Sequence, residues 1–362
     1  MGGKALKNIE TKRCSTEELY KNREEVIKIL KDKFPDIMAS GVNFYKDKKD
    51  HGDIDIVIAL NRLNDYKKEG SKSVLIWNQI MDEVFEPKES KFSYNKKEES
   101  QSSIYSFEYN DIQVDLIKVD EDSFDFAFNY YSYNDLVGII SNVYHNLGFK
   151  FGYDGLKYMV NLDKSKNKPV FLTKNFEEAL SFGGYDYERF KRGFKNFEEG
   201  IIYVESSSYF SPHFFDLEKR RNRESYKRDL KRNMMMKFFN YVGEKYNFEV
   251  YYEPDLKKEL NRAKKEFPHL ESNIFKEMVK DQIEKEEEYL KNYFKTANYF
   301  KEFNIEKSEI KRFVEEHLKR LNMTSSEWSN FIENNYQNFE IINEEMLKTK
   351  KEFNKKKLGF KR

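Results

Sequence analysis

The first periodic segment of the chain predicts an amphipathic helix. Its apolar residues recur at helical intervals along one face: Leu19, Val26, Ile27 and Leu30. Ser15 and Glu18 precede most of this stripe as a capping box, because the hydroxyl and the carboxylate can each satisfy a free amide of the first turn. The helix is therefore predicted to begin after Ser15 and to end near Phe34-Pro35.

Between positions 53 and 60 the hydrophobic pattern changes to strict alternation, which is typical of a β-strand. Ile54, Ile56 and Ile58 occupy one face of this strand. Its other face begins with Asp53 and Asp55, because side chains two positions apart point to the same side. The pattern therefore predicts a strand with a polar, acidic start.

A β-hairpin is predicted further along the chain. Two β-rich runs at 104–109 and 112–119 are separated by Asn110-Asp111, a dipeptide that favours a tight turn. In the second run Asp115 alternates with apolar neighbours. A third carboxylate therefore lies on the less apolar face of a strand.

Helical patterns dominate the rest of the chain. Helices are predicted at residues 74–85, 134–147, 173–182 and 187–197, and long charged helices follow Pro254. Together the elements predict an α+β protein, with a small mixed-sheet domain followed by a mostly α-helical region. The predicted boundaries are a flexible basic arm at 1–14, the mixed-sheet domain at 15–122, a helical domain at 123–245 and a charged helical C-terminal domain at 246–362.

The composition narrows the possible partners. Lys and Arg number 65 against 64 Asp and Glu, so the net charge of +1 argues against a surface that is basic throughout, and any nucleic-acid contact must be a local patch. Cys14 is the only cysteine, which excludes an internal disulfide and is typical of a reducing compartment. No apolar run approaches the ~20 residues of a membrane span. We therefore expect a cytoplasmic protein without membrane contact.

The acidic residues suggest a metal-dependent reaction. Nucleotidyl transfer uses two divalent cations about 3.5 to 4 Å apart, which activate the attacking hydroxyl and neutralise the triphosphate. Asp53 and Asp55 on one strand and Asp115 on a neighbouring strand can supply ligands for both cations. An Asp-x-Asp pair alone also occurs by chance on solvated strand ends. The order of the surrounding elements therefore decides its interpretation.

That order, helix, Ser40-Gly41 turn, acidic strand, helix and hairpin, resembles the DNA polymerase beta-like nucleotidyltransferase superfamily over about residues 15–120. The resemblance implies that Asp53, Asp55 and Asp115 are catalytic and hold two Mg²⁺ or Mn²⁺ ions. It also implies that Ser40-Gly41 receives the phosphates of a nucleoside triphosphate (NTP). The family usually has Gly-Ser at this turn, whereas this chain reads Ser40-Gly41-Val42.

Three lysines follow the Ser40-Gly41 turn: Lys46, Lys48 and Lys49. They either face the phosphates, which is why Lys46 is a candidate nucleotide-binding residue, or belong to a solvated loop.

Most of residues 1–240 are further similar to nucleotidyltransferases proposed for large phages and other viruses. This similarity is carried by Asn134-Asp135-Leu136, Gly148-Phe149-Lys150 and Ser207-Ser208-Tyr209-Phe210, among other segments. It implies an appended helical domain and a location in the cytoplasm, such as that of a phage-infected bacterium.

In the superfamily the nucleotide lies between the catalytic domain and the helical domain, so Lys150, Lys157 and Tyr158 are candidates to contact it. Alternatively, residues 148–156 form a glycine-punctuated turn between helices with its lysines in solvent.

The densest basic segment is a candidate RNA contact. It contains Arg220, Arg221, Arg223, Lys227 and Arg228, interleaved with Tyr226. A solvated amphipathic helix has the same pattern. We therefore expect transfer of a nucleoside monophosphate from an NTP to an acceptor hydroxyl, with the 3′ end of an RNA, extended without a template, as the leading acceptor. The alternatives are a small-molecule or protein acceptor, and a catalytically silent RNA-binding or virion protein with the same fold.

Overall fold

The computed structural model describes residues 3, 5–60, 73–94, 103–163, 166–217, 227, 229–246, 248, 254–293, 297–335 and 338–359. The chain divides into two compact units, Met1–Ser272 and Asn273–Arg362. The boundaries predicted at 122 and 245 both fall inside the first unit. The architecture is α+β, as predicted, with a mixed sheet and a helical C-terminal region.

The first unit begins with a five-stranded sheet and its helices. The elements are β1 (Cys14–Ser15), α1 (Thr16–Lys33), β2 (Met38–Gly41), β3 (Asp50–His51), β4 (Asp53–Ala59), α2 (Ser73–Phe85), β5 (Ser90–Tyr94), β6 (Ser103–Tyr109) and β7 (Ile112–Val119). The strand order is β2-β4-β7-β6-β5. Strands β4 and β7 run parallel, whereas the other three pairings are antiparallel. The sheet is therefore mixed, and its parallel pair contains all three predicted aspartates.

Helix α1 forms as its sequence predicts. The Ser15 hydroxyl accepts a hydrogen bond from the Glu18 amide at 3.2 Å, and the Glu18 carboxylate accepts one from the Ser15 amide at 2.9 Å. This confirms the capping box. The apolar stripe of α1 packs against the isoleucine face of β4, and helix α2 packs against the same face. Each fully buried aliphatic side chain contributes about 1.5–3 kcal/mol to folding.

The other face of the sheet carries the aspartates. Val57 and Ala59, on the same side of β4 as Asp53 and Asp55, are buried against helix α3 (Phe124–Tyr131). Both faces of the sheet are covered along the C-terminal part of β4. The two aspartates lie in its N-terminal part, where both are only half-buried.

The second half of the first unit contains strands where the sequence predicted helices and a turn. After α4 (Leu136–Asn146), strands β8 (Phe149–Gly152), β9 (Gly155–Asp163) and β10 (Lys166–Thr173) form an antiparallel sheet in the order β10-β9-β8. The prediction of a turn between helices at 148–156 was therefore wrong. The alternation of buried aromatic and polar residues in β8 spans four positions, too few for period analysis to distinguish from a loop.

Helices complete the first unit: α5 (Phe176–Phe182), α6 (Tyr187–Arg192), α7 (Phe197–Glu205), α8 (Asn233–Lys245) and α9 (Leu256–Glu266). Helix α9 belongs here because Arg262 donates to the Phe182 carbonyl at 2.9 Å and lies over the Phe182 ring. The sequence had assigned this helix to the C-terminal domain.

The N-terminal arm, predicted to be flexible, is held against the sheet. Cys14 and Ser15 pair with His51 and Asp50, and Leu6 is buried. We call Gly3 and residues 5–9 the N-terminal strap. The strap is bound through hydrogen bonds from its amides to side chains of the sheet, and such contacts leave no periodic pattern in its own sequence.

The second unit is helical, as predicted. Helix α10 (His269–Tyr293) leads into it, and α11 (Ala297–Glu302), α12 (Ile310–Leu321), α13 (Ser325–Asn335) and α14 (Phe339–Gly359) follow. Aromatic residues dominate its core, and burial lowers the pKa of His317 within that core to about 4. None of the described helices has both the length and the apolar character needed to cross a membrane.

A buried ion pair joins the β8–β9 turn to β9. The Lys157 ammonium contacts the Asp154 carboxylate and lies over the Phe171 ring, with both charged side chains at most 5% exposed. We predict that Lys157→Met lowers the free energy of unfolding by about 3–5 kcal/mol, because it leaves the Asp154 charge buried without a partner. Urea unfolding measures this.

The matched control is Lys191→Met, which removes an exposed ion pair with Glu188 at the same spacing of three residues. Its cost should stay below about 1 kcal/mol. Equal costs for the two variants would contradict a structural role for the buried pair.

Candidate metal centre

The three aspartates predicted from the sequence lie together. In the parallel pairing of β4 with β7, Asp55 is directly opposite Asp115, and Asp53 is opposite Gln113. One carboxylate oxygen from each of the three lies within 4.8 Å of the others. The structure therefore brings together the ligand set that the spacing of the motifs indicated.

Strand β2 ends before it reaches these carboxylates. Strand β2 pairs with β4 from Ala59 only as far as Ile56, so Asp53 and Asp55 extend beyond the last pair of the ladder. One further hydrogen bond, from the Val42 amide to the Asp55 carbonyl at 3.2 Å, fixes the backbone at that point. The aspartates thus lie just beyond the last residue pair that β2 makes with β4.

Two rows of polar side chains cross this face of the sheet. The first row is Asp55, Asp115, Ser106 and Lys91, each opposite the next on adjacent strands. The second row begins with Asp53, Gln113 and Glu108. Glu89 extends it, since the Glu108 amide donates to the Glu89 carbonyl at 3.3 Å. The two rows make this strand face a polar surface that includes the carboxylates. Buried strand faces are usually apolar.

Gln113 orients Asp115. Its side-chain amide nitrogen lies 3.0 and 3.1 Å from the two Asp115 carboxylate oxygens and donates to them, while its own carbonyl oxygen accepts the Ala5 amide at 2.9 Å. Gln113 is 1% exposed, so this network is shielded from water. Gln113 was not predicted from the sequence as a functional residue. The signal available was a polar residue two positions before a candidate ligand.

The cluster has the electrostatics of a cation site. Burial, together with the charges of Asp53 and Asp115, holds the pKa of Asp55 well above its ordinary value. Burial and the charge of Asp53 likewise raise the pKa of Asp115 to about 6, against hydrogen bonds from Ser106 and Gln113 that act in the opposite direction. Like charges at this spacing repel one another in a partly desolvated site. A divalent cation would relieve that repulsion.

The donor set fits Mg²⁺ or Mn²⁺. Both are hard cations that prefer carboxylate oxygens, and Mg²⁺ typically binds through one or two carboxylates and retains several waters or phosphate oxygens. Three half-buried aspartates whose carboxylate oxygens converge match that pattern. No cysteine or histidine belongs to the cluster.

Two lysines place positive charge near the carboxylates. Lys48 attracts Asp55 electrostatically and donates to the Asn134 side chain at 3.5 Å, and Lys91 attracts Asp115. Lys48 was predicted only as part of a lysine run, and Lys91 was not predicted. Lys46, the candidate nucleotide-binding residue of that run, has its amide bonded to the Phe194 carbonyl at 3.0 Å.

The predicted phosphate turn is part of a strand. Ser40 and Gly41 pair with Val57 and Ile56 as the end of β2, so the expectation of a turn at this position was wrong. Ser40 is opposite Val57 and its side chain therefore lies on the aspartate face. Gly41 is small for a packing reason, since a Cβ there would collide with the side chain of Arg23.

The remaining predicted nucleotide contacts lie in the β8–β9 sheet. Lys150 is paired with Lys157, and Tyr158 packs edge-on against Phe149. Lys157 is not available as the predicted nucleotide ligand, because its ammonium is buried in the pair with Asp154. Among the predicted RNA contacts, Arg220, Arg221, Arg223 and Arg228 lie outside the described residues, and Lys227 is exposed in a helical conformation.

Crowding of the carboxylates predicts a pH-dependent stability change. In protein free of divalent metal, Asp55→Asn should raise stability at pH 8 by about 1 kcal/mol, or roughly 2–4 °C in melting temperature. The folded state holds the pKa of Asp55 above that of the unfolded chain, so ionisation costs stability as the pH rises through the raised value. The gain should vanish near pH 4, where Asp55 is protonated in the folded protein.

Thermal unfolding in EDTA at the two pH values measures the difference. Asp32→Asn, at an exposed carboxylate near the end of α1, is the control and should change stability little at either pH. If Asp55→Asn were neutral or destabilising at pH 8, the proposed repulsion would be refuted.

Comparison of the chain with known proteins adds no relative. No protein-family model matches it, and neither does any curated protein sequence. The resemblance to the DNA polymerase beta-like nucleotidyltransferases therefore depends on the residues themselves. It rests on the acidic strand β4, the hairpin that supplies Asp115 and the order of the elements around them.

Proposed function

We propose that the chain is a metal-dependent nucleotidyltransferase, which transfers a nucleoside monophosphate from an NTP to an acceptor hydroxyl. The observation that supports this most directly is the convergence of Asp53, Asp55 and Asp115 within 4.8 Å from two parallel strands. A cluster used only for structure would pair its carboxylates with basic side chains. Here the neighbouring hydrogen bonds come from amides and from Ser106, and Lys48 and Lys91 offset only part of the negative charge, so that bound cations would neutralise the rest.

The chain's own groups have defined parts in this proposal. Asp53, Asp55 and Asp115 would hold two Mg²⁺ or Mn²⁺ ions, which when bound lower the pKa of the attacking hydroxyl and neutralise the triphosphate. Gln113 fixes the orientation of Asp115, so that carboxylate need not reorganise on binding. Ser40 and Lys48, beside the carboxylates, are the candidates to contact the phosphates.

The proposed acceptor is the 3′ end of an RNA. This part of the proposal depends on the basic segment that includes Arg220, Arg221, Arg223, Lys227 and Arg228, because neutralising phosphates is the main source of affinity for nucleic acid. The balanced net charge of the chain makes this local concentration of Arg and Lys conspicuous.

A cavity gives specific support to a second candidate, a small-molecule acceptor. It measures about 700 Å³, in the range of small-ligand sites, and is lined by Asn43, Asp125, Asn129, Lys174 and Tyr187 among others. Asn43 directly follows Val42, whose amide bonds to the Asp55 carbonyl. The cavity and the metal centre therefore share one short piece of backbone.

Transfer is tested by incubating the protein with Mg²⁺ or Mn²⁺, each α-labelled NTP, and either RNA or a pool of small-molecule hydroxyl compounds. We expect label on the RNA. Asp53→Asn, Asp55→Asn and Asp115→Asn should each reduce transfer by at least about 10²-fold, because each removes a charged ligand of the cations. Asp32→Asn is the control and should retain full activity.

The outcomes separate the candidates. Label on a small molecule would favour the second acceptor over RNA. Absence of label in every reaction, with RNA binding unchanged by the three substitutions, would refute catalysis and leave an RNA-binding protein with this fold.

A further inference from the structure

The N-terminal strap lies directly on the second polar row. The Gly3 amide donates to Asp53 Oδ2 at 3.0 Å, and the Ala5 amide donates to Gln113 Oε1 at 2.9 Å. The amides of Lys7, Asn8 and Ile9 converge on the Glu89 carboxylate at 2.9–3.1 Å. The strap thus crosses the sheet from the metal centre to the far strand, with a hydrogen bond to the row at each stage.

Glu89 is the main anchor of the strap. It accepts three backbone amides and the Asn8 side-chain amide at 3.0 Å. Hydrogen bonds from these groups, that of the Lys7 amide first, hold the pKa of Glu89 below its ordinary value. Glu89 lies outside the aspartate cluster, so its contacts can be altered without touching a proposed metal ligand.

Gly3 closes the other end of the strap. Its φ of +77° is a conformation that glycine adopts readily and other residues rarely do. A Cβ at this position would also collide with the backbone of Gly52, next to Asp53. Only glycine can therefore bring its amide to the Asp53 carboxylate in this way.

We propose that the strap is an autoinhibitory segment that competes with the divalent cations for Asp53. This inference rests on the proposed metal site. The Gly3 N–H points its partial positive charge at the carboxylate oxygen that would bind a cation. A cation at about 2.0–2.1 Å from that oxygen would repel the same N–H. Docking of the strap and filling of the site therefore oppose each other, and each weakens the other by the same factor.

Two variants release the strap by different means. Glu89→Ala removes its anchor, and Gly3→Ala excludes its end by strain and collision. Both should lower the Kd for Mn²⁺, by about tenfold if strap docking is worth one charge-assisted hydrogen bond. On electrostatics alone, loss of the Glu89 charge would weaken cation binding, so tighter binding in Glu89→Ala identifies the strap as the cause.

The experiment is titration calorimetry with Mn²⁺ on the full chain, with Glu24→Ala as the matched control. Glu24 is an exposed carboxylate on α1, away from the strap contacts. Its substitution should leave the Kd unchanged. Amide hydrogen exchange gives a second measurement, because saturating Mg²⁺ should speed exchange in a peptide that covers the strap of the wild-type protein.

The outcomes distinguish this inference from the proposed function. If all strap variants bind Mn²⁺ as the wild type does, or more weakly, while Asp55→Asn binds none, the metal site stands and autoinhibition is refuted. If neither the wild type nor a released variant binds Mn²⁺, both proposals fail. Strap amides that remain protected at saturating Mg²⁺ would also overturn the competition.

Discussion

The crowding of three carboxylates on one strand pair is the constraint on which the candidate metal centre depends. Asp55 and Asp115 lie opposite each other on a parallel strand pair, and Asp53 lies two residues before Asp55 on the same face of β4. Ionised side chains so close together oppose folding unless their charge is offset. Burial, together with this repulsion, raises the pKa values of Asp55 and Asp115. The isoleucines on the reverse face, buried against α1 and α2, supply part of the apolar burial that outweighs this cost.

The parallel pairing of β4 with β7 is what makes the cluster possible. An antiparallel neighbour would also place residues opposite each other. Here the chain between β4 and β7 includes α2, β5 and β6, and β7 then runs in the same direction as β4. This connection places the starts of β4 and β7 at the same edge of the sheet. Asp55 and Asp115, sixty residues apart in sequence, therefore lie opposite each other. The site thus depends on strand order and register as much as on residue type.

The sequence predicted the parts of this arrangement that leave a periodic pattern. The capping box of α1, the acidic strand and the hairpin at Asn110-Asp111 all follow from spacings of two to four residues. The parallel register that sets Asp55 opposite Asp115 is a long-range pairing and has no such local pattern. The same limit applies to the pairing of Ser40-Gly41 as strand β2, which was predicted to be a turn.

Contacts between backbone amides and side chains were harder still to predict. Glu89 looks like any surface carboxylate in the sequence, yet it accepts three amides of the strap. The donors carry no sequence signature, because every residue except proline has the same N–H. Lys157 shows the converse difficulty. Its sequence context suits a phosphate ligand, and only the packing of Asp154 and Phe171 around it reveals a structural ion pair.

The strap contacts the second polar row through its backbone amides, although the strap itself includes Lys7. The row of Asp55 and Asp115 contains Lys91, whose charge offsets part of theirs. The row of Asp53 contains Gln113 and Glu108 and ends at Glu89, so its side chains offer mainly hydrogen-bond acceptors. Backbone N–H groups satisfy such acceptors without adding a permanent positive charge that would lower the affinity for cations. A segment of amides can therefore protect the row in the resting protein and still be displaced.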